Sequence, residues 1–190
     1  MHLFKWQATE TRIQESHVVP LSWEILAAAA TRYSDEPETL DYVLRAARRL
    51  RCKKEAGFSC VGEKDGVARG FAWVAPYDGF MIPEIHQVLH SPSPESVVIF
   101  DCWTAGQLRD NGDFGTLIEQ VAACVCAEGK DVWICSAAEP GRVAQIEKAG
   151  FHLQTSFVKR RAFFAGRTTY QNRDTAEPKQ ADALAQGVAR

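Results

Sequence analysis

The sequence predicts a mixed α/β fold, with one sheet of about six or seven strands flanked by about four helices. Three features carry that reading. Segment 96–105, SVVIFDCWTA, is a nearly continuous apolar run that leads into a glycine turn and then a helical stripe. Asp65-Gly66 separates two strand-like segments, a strong signature of an antiparallel hairpin. Segment 36–51 repeats apolar residues with the period of a helix.

Taken in order, LFKWQ (3–7) alternates well enough to form a first strand. LSWEILAAAATRY (21–33) has helix-forming composition. In EPETLDYVLRAARRLR, the residues Leu40, Val43, Leu44, Ala47 and Leu50 follow the i, i+3, i+4, i+7 rule and are expected to bury one face. Pro37 suits the first turn of this helix. Arg45, Arg48 and Arg49 fall on the opposite face and read as a solvated surface, or as a dock for an acidic partner. The hairpin strands are GFSCVGEK and VARGFAWVAPY. Segment 76–96 carries four prolines and reads as a long irregular connection, a kind that is uncommon unless it serves a function.

Segment 96–105 then has the composition of a strand buried on both faces. TLIEQVAACVCAEG places Leu117, Ile118, Val121, Cys124 and Val125 on one helical stripe, with Gly129 as its stop. DVWICSA (131–137) is a second buried strand, and EPGRVAQIEKAG is a short helix with Pro140 early and Gly150 at its end. FHLQTSFVKRRAFFAG supplies the final strands. From Gly166 onward the chain is polar and nearly free of large apolar residues. The expected organisation is a single domain over 1–165 and a disordered tail over 166–190.

A chain of 190 residues with 46% hydrophobic composition can bury a real core. The net charge of −2 argues against nucleic-acid binding and against general affinity for anionic membranes. The N-terminus lacks the basic and apolar regions of a signal peptide, and no apolar stretch approaches the ~20 residues needed to span a bilayer. Six cysteines show neither CxxC nor metal-finger spacing. The expectation is a reduced, cytoplasmic protein with no metal.

The chemistry centres on QLRDNGDFGTLIEQ, Gln107–Gln120. A strand entering a glycine turn that opens a helix is a place for phosphate, because first-turn N–H groups have no internal partner and the helix dipole favours an anion. A P-loop would need Lys and then Ser or Thr after the last glycine, and GTL offers no Lys. A Rossmann turn would need GxGxxG in an N-terminal βαβ unit, and this turn comes too late and lacks that spacing.

WTAGQLRDNGDFGTLIEQVAACVCAEG, followed by DVWICSAAEPGRVAQIEKAGF, resembles the GNAT N-acetyltransferase superfamily. Arg109 and Gly112 match the first and fourth positions of its Arg/Gln-x-x-Gly-x-Gly/Ala signature, and Leu117 matches the apolar residue that follows. Glu147–Phe151 match the EKAGF-like end of the next helix. The resemblance is best over about 96–152.

It implies a GNAT-like acyl-coenzyme A N-acyltransferase fold, with acetyl-coenzyme A as co-substrate and an amine as acceptor. Arg109, Asp110, Asn111, Gly112, Asp113, Phe114 and Gly115 would hold the pyrophosphate, with Trp103 and Thr104 beside the pantetheine and thioester. The amine would attack the thioester directly, a base removing its proton and an acid protonating the departing thiolate. Pairing of the final strands between subunits, as a homodimer, is compatible with the fold.

Two positions depart from the pattern. Phe114 stands where the signature has Gly or Ala, and Ile146 stands where the family often has a Tyr as general acid. Asp110 and Asp113 add negative charge to the turn. The candidate catalytic groups are Asp101 on the central strand, His86 in the long connection (with Glu84 near it) and Ser136 at a strand end. Cys102 and the five Trp read as core. The leading reading is an N-acetyltransferase. The alternative is a GNAT-like domain without efficient catalysis that binds an acyl-coenzyme A or serves as an interaction module.

Overall fold

The computed structural model describes residues 1–7, 18–62, 66–91, 93–105, 113–161 and 168–174. Ten strands and four helices follow one another as β1 (His2–Trp6), β2 (Val18–Pro20), α1 (Trp23–Arg32), α2 (Pro37–Cys52), β3 (Ala56–Val61), β4 (Ala68–Pro76), β5 (Met81–Ile82), β6 (Gln87–Val88), β7 (Ser96–Thr104), α3 (Asp113–Ala127), β8 (Asp131–Ser136), α4 (Pro140–Lys148), β9 (Phe151–Arg161) and β10 (Thr168–Asp174). Eight strands form one mixed sheet in the order β10-β9-β1-β8-β7-β4-β3-β2, and β5 and β6 form a separate two-stranded ribbon. The main sheet thus has slightly more strands than expected, because the short β2 and the polar β10 extend it at its two edges. Among the described strands β7 and β8 are the one parallel pair, and α3 connects them, as a parallel crossover requires.

The helices cover both faces. On one, α3 and α4 pack through Phe114, Leu117, Ile118, Val121, Val125 and Ile146 against Phe4, Ala72, Val74, Ile99, Val132 and Ile134 of the sheet. On the other, α1 and α2 cover Phe71, Trp73 and Trp103. There Tyr42, Phe71 and Trp103 stack with ring centroids 5.3–5.9 Å apart, and Tyr33 meets the Trp103 ring edge-on at 5.5 Å. The Tyr33 hydroxyl donates to the Ala68 carbonyl at 2.9 Å, so the phenol is buried without an orphaned proton.

α1 starts at Ser22, whose side chain accepts from the Ile25 amide, and α2 starts with Pro37 in its first turn, as expected. The buried face of α2 is turned from the expected one. Val43 is buried and Ala47 and Leu50 pack against the core as expected, but Thr39, Tyr42 and Ala46 also face the sheet, while Leu44 is 59% exposed. The Tyr42 ring offers more apolar surface than Leu44 and finds an acceptor for its hydroxyl, so the helix turns that side inward.

The connection 76–96 is also more ordered than its prolines suggest. The β5–β6 ribbon folds back as an arch, tied by Leu89 N to Phe80 O at 2.8 Å, Gly79 N to Leu89 O at 3.0 Å and Tyr77 N to Ser96 O at 3.0 Å. Tyr77, Ile82, Ile85 and Leu89 anchor it on Leu3, Val98 and Trp133.

Thr168–Asp174, assigned by the sequence reading to a disordered tail, pairs along its length with β9, so the sheet reaches at least Asp174. Its composition misleads because an edge strand is held by backbone bonds and needs few apolar side chains. Residues 175–190 lie outside the described residues. No described helix is long and apolar enough to cross a membrane. All six cysteines are free.

Phe114, 4% exposed, pins the start of α3 into the core. Phe114→Ala is expected to cost about 3–5 kcal/mol of stability, read as a lower midpoint in urea unfolding with an unchanged slope.

Candidate active site

The central strand changes parity in its middle. Phe71 of β4 pairs with Trp103 of β7 and Trp73 pairs with Phe100, so Asp101 and Cys102 together oppose the single residue Ala72. This is a β-bulge. Its first residue, Asp101, has φ 45°, in the left-handed region that Asp enters at less cost than most residues. The extra residue lets Phe100 and Trp103 face the same side of the sheet although they stand three apart, while Cys102 turns toward α3.

Helix α2 holds the bulge from two positions one stripe apart. The Tyr42 hydroxyl donates to the Asp101 carbonyl at 2.7 Å, and Arg49 pairs with the Asp101 carboxylate. Arg49 also sets its Nε 3.0 Å from Glu55 and lies 5.0 Å from the ring centroids of both Trp73 and Phe100. The expectation of a solvated basic face therefore holds for the exposed Arg48 and fails for Arg49. Arg45 is exposed as well, paired with Asp41 on its own helix. Left-handed strain of about 1–2 kcal/mol is matched here by one hydrogen bond worth about 0.5–1.5 kcal/mol and one partly exposed ion pair worth at most about 1 kcal/mol.

Beside the bulge the sheet opens. β7 and β8 pair from Ser96↔Asp131 through Ile99↔Ile134 and no further. Beyond that rung β7 stays with β4 and β8 stays with β1. On the α2 face the opening meets a cavity of about 850 Å³, lined by Phe100 and Asp101 from one arm and by Cys135, Ser136 and Ala137 from the other. Arg45, Arg49, Lys54 and Glu55 form one wall, and Asp78 and Glu84 reach it from the arch. Arg49 neutralises Asp101 and Glu55 in part, and the Asp78 carboxylate accepts the Ser91 amide at 3.1 Å. Glu84 has no ion-pair partner among the described side chains.

Burial pushes the Cys135 thiol up to about 12, and the neighbouring Glu84 charge adds to the shift. That coupling places Glu84 close to the β8 arm. Cys102 is raised to about 12 by burial as well, with Arg142 opposing the shift and Asp101 adding to it. Neither thiol is a ready nucleophile near neutral pH.

The structure brings Asp101 and Ser136 together in the cavity wall, and leaves His86 out of it. His86 sits exposed in the β5–β6 turn with φ 50°, and the neighbouring Glu84 reaches the cavity instead. The Trp103 ring belongs to the aromatic stack on the α2 face, and Thr104 is buried at the end of β7. Arg109, Asp110, Asn111 and Gly112 lie outside the described residues. Asp113 opens α3. The Phe114 side chain points into the core. A Cβ at Gly115 would stand 3.4 Å from the Gln145 carbonyl, so this glycine admits the close approach of α3 and α4.

On the α3–α4 face, both helices begin just past the ends of the parallel strands, at the open end of the split, where α/β sheets commonly bind ligands. Arg142, in the first turn of α4, lies with its guanidinium carbon 3.9 Å from the Phe114 ring centroid. Ile146, one turn later, is fully buried in the core. Sequence reasoning missed Arg49 and Arg142. The spacing of seven between Tyr42 and Arg49 was a usable signal for a shared stripe, whereas nothing in the sequence marked Arg142.

Neither any protein-family model nor any curated protein sequence matches the chain. Its structure is similar to an acetyltransferase of the GNAT family from Colwellia psychrerythraea, with a TM-score of 0.54 and 13% identity over 80% of this chain. It is also similar to a GNAT-family protein from Novosphingobium aromaticivorans, with a TM-score of 0.50 and 14% identity over 80% of this chain. The chain spans 52% and 59% of the length of these two proteins. A protein from Bacillus halodurans is matched over 99% of its length and 77% of this chain, with a TM-score of 0.51 and 12% identity.

Tyr42→Phe leaves the Asp101 carbonyl without its donor and is expected to cost about 1–3 kcal/mol, measured by denaturant titration. Alkali should also destabilise the fold. Cys102 and Cys135 have folded pKa values near 12 against 9.0 as their reference. Above about pH 9 the unfolded chain therefore holds fewer protons, and stability falls as pH rises toward 12. Unfolding midpoints between pH 8 and 11 check the sign, and a flat profile would contradict the burial of both thiols.

Proposed function

We propose that this chain, which has the fold of the GNAT acetyltransferases, transfers an acetyl group from acetyl-coenzyme A to an amine held in the cavity beside the bulge. The observation that carries the reading is the parting of β7 and β8 after Ile99 and Ile134, with a cavity touching both arms on one face and two helix starts on the other. A cleft of this kind fits an extended ligand. From Phe100 to Trp103 the edge of β7 that faces β8 has no described strand beside it, which suits an amide-bearing arm such as pantetheine. The helix starts suit its phosphates.

In this reading the glycine turn Arg109–Gly115 contributes pyrophosphate binding, an assignment that rests on its sequence pattern. Bound acetyl-coenzyme A supplies the activated acyl group. The chain's own residues orient the amine and take its proton. Glu84 suits proton removal better than Asp101, because Arg49 holds the Asp101 carboxylate whereas Glu84 lines the cavity without an ion-pair partner among the described residues. Ser136, at the end of the β8 arm, is placed to hydrogen-bond the acceptor.

One observation favours the second reading, a domain that binds an acyl-coenzyme A without efficient turnover. Ile146 is sealed in the core, so α4 presents no proton donor at that position.

Calorimetric titration with acetyl-coenzyme A, followed by thiol release across a panel of amines, tests both. Binding with release supports the transferase, and binding without release supports the second reading. No binding at millimolar ligand sinks both. Where release is seen, Glu84→Gln is expected to lower kcat by roughly a hundredfold or more while acetyl-coenzyme A affinity stays within twofold or so of the wild type.

A further inference from the structure

Most of the charges around the cavity on the α2 face are matched by a neighbour, and two are not. On the α2 side, Arg45 pairs with Asp41 of its own helix, and Arg49 pairs with Glu55 and Asp101. Lys54, just past the end of α2, lines the same wall and makes no ion pair with any described side chain. On the arch, Asp78 accepts the Ser91 amide, whereas Glu84 has no ion-pair partner among the described side chains. Burial raises the Cys135 thiol and the Glu84 charge adds to it, which sets Glu84 near the β8 arm, where Ser136 also lines the cavity. A lysine after a helix can serve the negative end of the dipole, but α2 already ends in Arg49 and Arg51.

The remaining lining is largely apolar. Phe80 of the arch meets Phe100 of β7 with ring centroids 4.9 Å apart, and the Phe100 ring lies 5.0 Å from the Arg49 guanidinium carbon. The ring pair therefore stands between the arch and the basic wall. Ala75 and Ile82, both buried, extend the same surface.

We propose that the cavity takes a zwitterion as its acceptor, an amine that carries a carboxylate at the far end of an apolar segment, and that Lys54 selects the carboxylate. The inference rests on the transferase reading for which end reacts, and on the charge and apolar lining of the cavity for the form of the ligand. The nitrogen lies toward Glu84 and Ser136, the hydrocarbon crosses Phe80 and Phe100, and the carboxylate meets Lys54. Lys54 and Glu84 are not within ion-pair distance of each other, so a molecule with both charges on one carbon does not reach both. A diamine would bring its second cation against Lys54 and Arg49, and like charge there discriminates against it.

NMR titration of the wild type and Lys54→Gln tests the proposal with four probes: aminohexanoate with its charges at opposite ends, its isomer norleucine, hexylamine and diaminohexane, each with shorter and longer homologues. Thiol release from acetyl-coenzyme A is read with the same amines, and thermal unfolding with both proteins. In the wild type the terminal amino acids should bind about fivefold or more tightly than the matched monoamines, and the diamines most weakly. Lys54→Gln should lose most of that preference with an unchanged Tm. A lower Tm with the preference intact would make Lys54 a partner of the helix end only and overturns the proposal. Norleucine binding as well as aminohexanoate overturns it too, as does tightest binding of a diamine or no binding by any probe. Aminohexanoate bound with the expected preference but without thiol release overturns the transferase reading and supports Lys54 and the cavity as a zwitterion site, so the two failures are told apart.

Discussion

At Asp101 the central strand takes one extra residue in a left-handed conformation, and α2 holds it there through Tyr42 and Arg49. Much of the molecule follows from that insertion. It turns Phe100 and Trp103 to one face, and so allows Tyr42, Phe71 and Trp103 to stack under α2. It also stands two residues beyond Ile99, where pairing with β8 ends. Without the bulge, the residues after Phe100 would change faces, and the apolar side chains on both sides would meet the wrong helices.

The two faces of the split differ in chemistry. The α2 side is a roomy cavity with carboxylates and bases along its walls, roofed by an arch tied to the sheet through backbone bonds. On the α3–α4 side the helices approach closely at Gly115 and the Gln145 carbonyl, and the Arg142 guanidinium lies over the Phe114 ring. A polar acceptor on one face and an anionic carrier on the other would each find a complementary surface. The boundary between them is the gap between Asp101 and Ser136.

The sequence was readable where a local rule acts alone. The antiparallel pairing of β3 with β4, the apolar β7 strand and the stripe of α3 all stand as expected, because turn chemistry and period determine them. Reading failed where tertiary partners decide. The burial of Tyr42 over Leu44 depends on an acceptor carried by a strand far along the chain. Arg49 looked solvated because its partners, Glu55 and Asp101, lie off its own helix. A bulge leaves no periodic trace, since one residue reverses the alternation on either side of it. The edge strand β10 was invisible for a different reason: backbone pairing does not show in side-chain composition. At the site, Asp101 and Ser136 were legible as strand-end residues, whereas the arch brings Glu84 rather than His86 to the cavity through the path of its turn.

The eight-stranded sheet is two four-stranded leaves, β10-β9-β1-β8 and β7-β4-β3-β2, whose strand pairing across the seam runs, among the described residues, from Ser96↔Asp131 to Ile99↔Ile134. The side chains of α3 and α4 pack on both leaves and brace the seam from one face, so the opening starts from a braced apex at the last rung. At about 3.3 Å per residue, Phe100, Asp101, Cys135 and Ser136 stand one or two steps from that apex, and Thr104 stands five. The groups nearest the apex are therefore the ones whose spacing the strand pairing itself sets, while those toward the mouth depend on what lies between the arms.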